Sequence, residues 1–310
     1  MRVRPSPAGI QLFNRANGLN ILLNEFSVPA ALWAMAPRYV SIALTNACEL
    51  RCPYCYAPKH PAMLKIEDVE KWLDELGRNG CLGVGFGGGE PTLHPSFAAI
   101  CRHAAQCTAL AVTFTTHGHR LDHELLKALV GNVHFVRVSM DGTGKTYEAL
   151  RGRSFPALLS TLKALRTVAP FGINYVVNAR TMPDLYSAID FAADSGASEF
   201  LLLPERPTKS QPGIDAKTTA ALRTWTRLYA GRVPLAVSEA GAEGLPTANP
   251  LQGENGLRAH AHVTADGILK QTSFHTRGVA IENDGVIRAL DRLRNGQKED
   301  NHENLVRLRL

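Results

Sequence analysis

The stretch that decides the fold and chemistry of this chain is Thr45–Tyr56, which reads TNACELRCPYCY. Its cysteines, Cys48, Cys52 and Cys55, follow the spacing C-x₃-C-x₂-C. Three thiolates within eight residues can bind a metal ion or an iron–sulfur cluster. Three sulfur ligands leave one iron of a four-iron cluster open, and a catalytic metal site needs such an open position. The stretch therefore predicts a cluster with a vacant coordination position.

Two other uses of the three cysteines fit the sequence less well. A zinc site is the rival, but C-x₃-C-x₂-C is not a usual zinc spacing and no C-x₂-C or H-x₃-H partner lies nearby. Disulfides do not account for the motif, because three is an odd number and nothing indicates secretion. The cluster is the favoured interpretation, and a non-catalytic zinc-binding module is the alternative from another class of protein.

Composition sets broad limits on the molecule. The chain has 310 residues, 45% hydrophobic and 20% charged, which suits one large α/β domain with an appendage or two domains. It shows neither a signal-peptide core nor an apolar run long enough to cross a bilayer, so we expect a cytoplasmic protein without a membrane partner. The net charge of +6 suits an anionic partner, but Lys and Arg are scattered along the chain, which argues against nucleic acid as the partner.

Strand and helix patterns alternate from Tyr39 onward. Six apolar, β-branched runs predict buried parallel strands at Tyr39–Leu44, Leu82–Phe86, Leu110–Thr115, Val133–Ser139, Ile173–Val177 and Phe200–Leu203. Helical patterns lie between them at Ile66–Asn79, Ser96–Gln106, Asp122–Val130, Phe155–Thr167 and Asp184–Ser195. This order predicts an α/β fold, a partial (β/α)₆ TIM-like barrel, whose active site lies at the carboxyl ends of the strands.

Three regions are expected along the chain. Residues 1–36 form an N-terminal extension, in which Asn17-Gly18 indicates a possible β-hairpin. Residues 37–206 form the partial barrel. Residues 207–310 form a small α+β extension, with its predicted elements at Ala216–Tyr229 (helix), Arg258–Thr264 and Ile268–Gln271 (hairpin) and Val286–Arg294 (helix).

Further motifs fall at the predicted strand ends. Gly87-Gly88-Gly89-Glu90-Pro91 ends the second strand, where glycines allow a ligand to approach the backbone and Glu90 can accept hydrogen bonds from an ammonium group. A flexible turn is the other explanation. Ser139 ends the fourth strand and Arg151 follows, a hydroxyl and a guanidinium that suit a carboxylate. A surface position after a loop is the other explanation of Arg151.

With the cysteine run, these motifs resemble the radical S-adenosylmethionine (radical SAM) superfamily over residues 38–205. The resemblance implies that Cys48, Cys52 and Cys55 bind one [4Fe–4S] cluster and that S-adenosylmethionine (SAM) occupies its open iron. It also implies the residues that contact SAM. These are Tyr54, Gly88, Gly89, Glu90, Thr116, Ser139, Arg151, Asn178 and Leu203, with Arg153 as a substitute for Arg151.

Substrate contacts are less well defined by the sequence. His117 stands where many relatives carry Asn, and it is either a proton-transfer group or a structural histidine. Arg137 alternates with Ser139 along one strand, and an inward arginine is costly unless paired, so Arg137 is a weak candidate for holding an anionic substrate. No catalytic residue is assigned beyond these two candidates.

The last third resembles a SPASM or twitch extension without its cluster. The hairpin at His262–Thr272 has Thr272 where relatives carry a cysteine, and no cysteine follows Cys107. The resemblance therefore implies one cluster and no auxiliary cluster. Cys81, Cys101 and Cys107 are expected to be buried structural thiols.

The resemblance also implies a reaction. An external one-electron reductant reduces the cluster, which then cleaves SAM to a 5′-deoxyadenosyl radical. This radical abstracts hydrogen from a substrate. A ribosomally made peptide is the favoured substrate, because of the SPASM-like tail. The alternative is a nucleotide or other phosphorylated small molecule, as in viperin-like relatives, which also lack a second cluster in the tail.

Overall fold

The computed structural model describes residues 1–208, 211–238, 241–248 and 253–307. Its strands are β1 (Arg2–Ser6), β2 (Gly9–Phe13), β3 (Asn20–Leu23), β4 (Tyr39–Thr45), β5 (Gly83–Gly88), β6 (Ala111–Thr116), β7 (Phe135–Ser139), β8 (Phe171–Val177), β9 (Glu199–Pro204), β10 (Leu235–Val237), β11 (His260–Val263), β12 (Ile268–Lys270) and β13 (Val279–Ala280). Its helices are α1 (Ile66–Arg78), α2 (Phe97–Cys107), α3 (His123–Leu129), α4 (Gly144–Arg151), α5 (Phe155–Leu165), α6 (Leu185–Asp194), α7 (Ala216–Leu228), α8 (Gly256–Ala259) and α9 (Val286–Arg307).

The chain divides into two compact units. The first unit consists of Met1–Ala47, His60–Val112 and Pro250–Leu310. The second unit consists of Cys48–Lys59 and Thr113–Asn249. The cysteine run therefore belongs to the second unit, while the glycine-rich motif at Gly87–Pro91 belongs to the first.

In the first unit, β4 is the central strand of a sheet. It pairs in parallel with β5 on one side and with β11 on the other, and β12 and β13 continue from β11 as antiparallel strands. One face of the three parallel strands is a dry core, with members at most 1% exposed: Val40, Ile42, Val84, Phe86, Ala261 and Val263. Helix α1 buries Trp72, Leu73 and Leu76 and contacts both α2 and α9. Alternation along each strand fixes which side chains enter this core.

The second unit contains a parallel sheet. Its strands run in the order β6, β7, β8, β9 and β10, and helices α3 to α7 connect them. One face of the central strands is a buried apolar core, with Val138, Ile173 and Phe200 at 0% exposure, whereas the other face carries polar side chains such as Arg137 and Asn174. The six predicted strands correspond to β4–β9, so the predicted α/β fold with parallel strands is confirmed.

Several elements differ from the prediction. The N-terminal hairpin is part of a three-stranded antiparallel sheet, because β1 pairs with β2. Pro5 and two arginines hid β1 in the sequence, and an edge strand tolerates proline. Helix α4 was missed because it has only eight residues, begins at Gly144 and has no side-chain cap. Strand β10, with three residues, was also missed, and α9 runs to Arg307 rather than to Arg294.

None of the described helices combines the length and the apolar character needed to cross a bilayer.

Candidate functional site

The cysteine run forms a loop without helix or strand between Cys48 and Lys59. A turn closes its second half: the Cys55 N–H donates to the Cys52 carbonyl at 3.1 Å, and Pro53 occupies the position that favours such a turn. Cys48, Cys52 and Cys55 are not in disulfide bonds, and each is partly accessible. The Lys59 ammonium donates to Cys55 Sγ at 3.2 Å. Three accessible cysteines on one loop are the donor set that a [4Fe–4S] cluster with an open iron requires.

A single carboxylate anchors this loop within the second unit. Asp141 follows β7 and is 0% exposed. The Tyr54 hydroxyl donates to Asp141 Oδ2 at 2.6 Å, the Val176 N–H donates to Asp141 Oδ1 at 2.6 Å, and Arg151 Nη2 also donates to Oδ2. Tyr54 lies between the last two cysteines, so Asp141 ties the cluster loop to β8 and to the end of α4.

Burial and charge in this region act on the Cys52 thiol and on Tyr54. Burial raises the pKa of the Cys52 thiol, and the nearby Arg151 cation opposes that rise. Burial also raises the pKa of Tyr54, and the Asp141 carboxylate adds to the effect, so the phenol keeps its proton and donates. Iron binds thiolates, so the Arg151 cation favours the form of Cys52 that a cluster requires.

His117 lies beside the loop, at the carboxyl end of β6. It is 4% exposed, and its Nε2 is 3.3 Å from Glu49 Oε2. Donor atoms of Cys48, Glu49 and His117 all lie within 4.8 Å of one another. Cysteine, histidine and carboxylate are also zinc ligands, so this trio gives the zinc alternative a specific set of residues.

The remaining predicted residues of the second unit differ in their hydrogen bonds within the protein and in their exposure. Asn178 donates to Glu205 Oε2 at 2.7 Å, and its Oδ1 accepts from the Arg180 N–H at 2.9 Å. Thr116 is buried and accepts from the Gly118 N–H. Ser139 and Leu203 are partly exposed at the carboxyl ends of β7 and β9.

Arg137 and Arg151 are both paired with carboxylates. Arg137 Nη2 is 2.6 Å from Glu199 Oε1, so a carboxylate of the protein already offsets its charge. The Arg151 side chain, 10% exposed, pairs with the buried Asp141. Arg153 lies exposed just beyond α4.

The glycine-rich motif is built against the end of β4 in the first unit. A Cβ on Gly88 would lie 2.2 Å from the Thr45 carbonyl oxygen, and one on Gly89 would lie 2.2 Å from the Ala47 carbonyl oxygen. Gly88 also has a φ of +118°, in the region that favours glycine. The backbone therefore requires both glycines. Gly87 differs, because a Cβ there would meet nothing within 4 Å.

Glu90 has a structural role alongside its expected ligand role. It is 1% exposed, and it caps the short 3₁₀ helix Pro91–Leu93 by accepting from the Thr92 N–H at 3.3 Å and from Thr92 Oγ1 at 2.7 Å. These hydrogen bonds fix the position of the buried carboxylate, two residues beyond the end of β5.

Sequence reasoning missed several residues of the site. Asp141 directly follows a strand end, a position that could have signalled it, but its partners come from three distant segments. Lys59 carried no signal, because it lies four residues beyond the last cysteine of the motif. Cys81 and Cys101 are buried as predicted, whereas Cys107 is exposed because it is the last residue of α2.

One stretch of the chain matches a protein family: residues 42–192, just under half of the chain, match the model of the Radical SAM superfamily. The chain therefore contains a radical SAM domain. Enzymes of this family use a [4Fe–4S] cluster and S-adenosylmethionine, so the predicted class and cofactors are confirmed.

Two curated relatives illustrate how diverse the family is. GTP 3′,8-cyclase from Chlorobaculum tepidum is 36% identical over 107 residues, which cover 33% of this chain and 32% of that protein. Mycofactocin maturase MftC from Mycobacterium tuberculosis is 30% identical over 171 residues, which cover 53% of this chain and 44% of that protein. The chain thus spans between a third and about half of the length of these curated relatives.

Solved structures show the fold. SuiB from Streptococcus suis bound to S-adenosylmethionine is similar with a TM-score of 0.72 and 13% identity, over 90% of this chain and 84% of that chain. The structure of SuiB bound to the precursor peptide SuiA gives a TM-score of 0.71 at 13% identity, with coverage of 90% and 84%. At this identity the likeness concerns the fold alone, and it confirms the predicted α/β class with a partial (β/α)₆ TIM-like barrel.

Proposed function

We propose that this chain is a radical SAM enzyme with one [4Fe–4S] cluster, held by Cys48, Cys52 and Cys55. When bound and reduced, the cluster supplies the electron that cleaves SAM to methionine and a 5′-deoxyadenosyl radical, which abstracts hydrogen from the substrate. The observation that carries the proposal is the loop itself. Three accessible cysteines, none of them in a disulfide bond, lie on a segment that a buried carboxylate, Asp141, anchors through Tyr54.

The chain's own residues would bind and orient SAM. Gly88 and Gly89 bring backbone close to the ligand, and the fixed Glu90 carboxylate accepts from its amino group. Gly87, whose missing side chain leaves open space, extends that cradle. Tyr54, Thr116, Asn178 and Leu203 are the proposed contacts of the adenosine part. These last four follow from the family motif positions.

The methionine carboxylate needs a cation and a hydroxyl. Arg151 is already paired with Asp141, whereas Arg153, two residues on, is exposed. We assign the carboxylate to Ser139 and Arg153, and we assign Arg151 to holding the cluster loop. The electron comes from an external one-electron reductant, because reductive cleavage of SAM consumes one electron, which a bound cluster passes on but does not generate.

A peptide is the proposed substrate. Among the relatives, MftC is named a maturase, and SuiB has been seen bound to a precursor peptide. The likeness to SuiB extends over 90% of this chain, beyond the superfamily domain itself. This extent favours a ribosomally made peptide.

A nucleotide or other phosphorylated small molecule is the second candidate. The relative with 36% identity is named GTP 3′,8-cyclase, and the net charge of +6 suits an anionic substrate. A neighbouring gene for a short precursor peptide would favour the peptide as the substrate. A neighbouring gene for a nucleotide kinase would favour the nucleotide.

The experiment is anaerobic reconstitution followed by SAM cleavage. We expect 5′-deoxyadenosine to form with SAM and dithionite, and Cys52→Ala to abolish it together with the bound iron. Cys107→Ala is the matched control, since this thiol is exposed and outside the motif. Mass spectrometry of a candidate precursor peptide, and separately of GTP, then separates the substrates. Failure of the unaltered protein to cleave SAM would refute the proposal.

A further inference from the structure

The sheet of the first unit has a second, polar face. In the register of its parallel strands, Tyr39 stands beside His260, and Ser41 beside His262. On the other side of β4, Tyr39 and Ser41 stand beside Gly83 and Gly85. Alternation puts these residues on the face opposite the dry core. This face therefore carries Tyr39, Ser41 and the two imidazoles beside the glycines of β5, and the Tyr39 ring lies against Gly83 and stacks with His260.

The hydroxyl and the imidazoles form one hydrogen-bonded group. Ser41 Oγ is 2.8 Å from His262 Nδ1 and 3.3 Å from His260 Nε2. His260 Nδ1 lies 3.0 Å from the Gln271 carbonyl oxygen and therefore donates to it. Ser41 can then donate to His260 Nε2 and accept from His262 Nδ1. This arrangement leaves His262 Nε2 for a ligand.

The charges that act on His262 are all basic. Lys270 stands directly opposite His262 on β12, and directly opposed residues share a face. Burial, His260 and Lys270 together lower the pKa of His262 to about 4. In the described strands β4, β5, β11 and β12, this face carries no carboxylate, and Lys270 makes no ion pair with any residue that the structure describes.

The glycines of β5 beside this group continue into the glycine-rich motif. Gly85 and Gly87 lie on the same face of β5, and the space that a Gly87 side chain would occupy is open. The next residues are Gly88 to Glu90, the proposed SAM contacts. Substrates of barrel enzymes bind at the carboxyl ends of the strands, where this face ends.

We infer that this face is a subsite for an anionic group of the substrate, a carboxylate or a phosphate, held by Lys270 and His262. Lys270 supplies a permanent cation, and an anion favours protonated His262, whose Nε2–H then donates to it while Nδ1–H donates to Ser41. The inference rests on the proposed function for its substrate, but anion binding does not require radical chemistry.

The test is a titration of His262 in the reconstituted, oxidised full-length protein. Histidine carbon resonances are recorded by NMR against pH, and His262→Gln identifies the resonance of His262. Inorganic phosphate in one series and acetate in another provide the two anions. We expect at least one anion to raise the pKa of His262 by about one unit or more. Lys270→Met should weaken binding of that anion about tenfold, while Lys127→Met, at an exposed position on α3, should not.

The outcomes distinguish a phosphorylated substrate from a carboxylate substrate. They also distinguish failure of the anion subsite from failure of the proposed function. A response to phosphate alone supports a phosphorylated substrate, and a response to acetate supports a carboxylate. If neither anion moves the resonance, or if Lys270→Met responds like the unaltered protein, the subsite is refuted even though 5′-deoxyadenosine still forms. Anion binding without SAM cleavage would instead refute the proposed function and leave the subsite standing.

Discussion

At the scale of single residues, Asp141 supports the candidate site more than any other side chain. It is fully buried, and its charge is offset by Arg151 and by hydrogen bonds from Tyr54 and Val176. Removing one member of a buried ion pair typically costs about 3–5 kcal/mol, because the partner charge remains buried. Asp141 is therefore the residue on which the geometry of the cysteine loop depends.

Asp141→Asn should lower the free energy of unfolding by about 3 kcal/mol or more and reduce the iron retained after reconstitution. Tyr54→Phe removes only one hydrogen bond and should cost about 1–2 kcal/mol. Urea unfolding and iron analysis measure both effects. An Asp141→Asn protein with unaltered stability and iron content would show that this carboxylate does not anchor the loop.

Protonation of His262 makes the free energy of unfolding depend on pH. Its pKa is about 4 in the folded protein and about 6.5 when unfolded, so the unfolded chain binds more protons between these values. Stability from this group is therefore complete above about pH 6.5 and is lost as the pH falls towards 4, with a slope of up to about 1.4 kcal/mol per pH unit. Urea unfolding of the unaltered protein and of His262→Gln should give stability curves that converge as the pH falls. Parallel curves would contradict the assignment.

At the scale of elements, the glycine-rich strand end offers a matched pair of substitutions. Gly89→Ala would press a methyl group against the Ala47 carbonyl oxygen, and overpacking of this kind costs about 1–3 kcal/mol. Gly87→Ala meets nothing within 4 Å and should change stability by less than about 1 kcal/mol. Gly87→Ala should nevertheless weaken SAM binding by filling the open space. Calorimetry with SAM and urea unfolding separate the two effects, and equal behaviour of the two variants would contradict this account.

A buried ion triad joins the N-terminal sheet to the segment before β11 in the first unit. Arg4 and Glu254 have side chains that are 1% exposed, and Arg38 also pairs with Glu254 at 3.0 Å. Glu254→Gln should cost about 3–5 kcal/mol, because Arg4 would stay buried without its counter-charge. Asp194→Asn, in an exposed pair with Arg232, should cost less than about 1 kcal/mol. Similar midpoints of urea unfolding for the two variants would contradict the structural role of the triad.

The strands and helices could be predicted where the sequence carries a clear apolar pattern. Strands β4–β9 follow apolar, β-branched runs, and their ends agree with the sequence within two residues, because the apolar residues that each strand buries are visible in the sequence. Helix α4 was not visible, since two turns beginning at a glycine carry little periodic signal. Strand β1 was hidden by Pro5, which only an edge strand accepts.

The site was predictable where a contiguous motif carries it and not where distant segments converge. Cys48 to Cys55 and Gly88 to Glu90 were visible as motifs. The pairing of Arg151 with Asp141 was not visible, because it depends on how α4 returns to the end of β7. The Ser41 and His262 group was also hidden, since its members are more than 200 residues apart in the chain.

At the scale of the whole molecule, the superfamily and its cofactors follow from the family match over residues 42–192, and the fold follows from the likeness to SuiB. The regions at 1–36 and 207–310, and the SPASM-like character of the latter, remain predictions. So do the individual SAM contacts and the substrate.

The most direct test of the central claim is metal analysis after anaerobic reconstitution, combined with SAM cleavage by the same sample. The account predicts about four iron and four sulfide per chain, formation of 5′-deoxyadenosine with SAM and dithionite, and loss of all three in Cys52→Ala. Zinc in place of iron, or a full cluster that forms no 5′-deoxyadenosine, would contradict it.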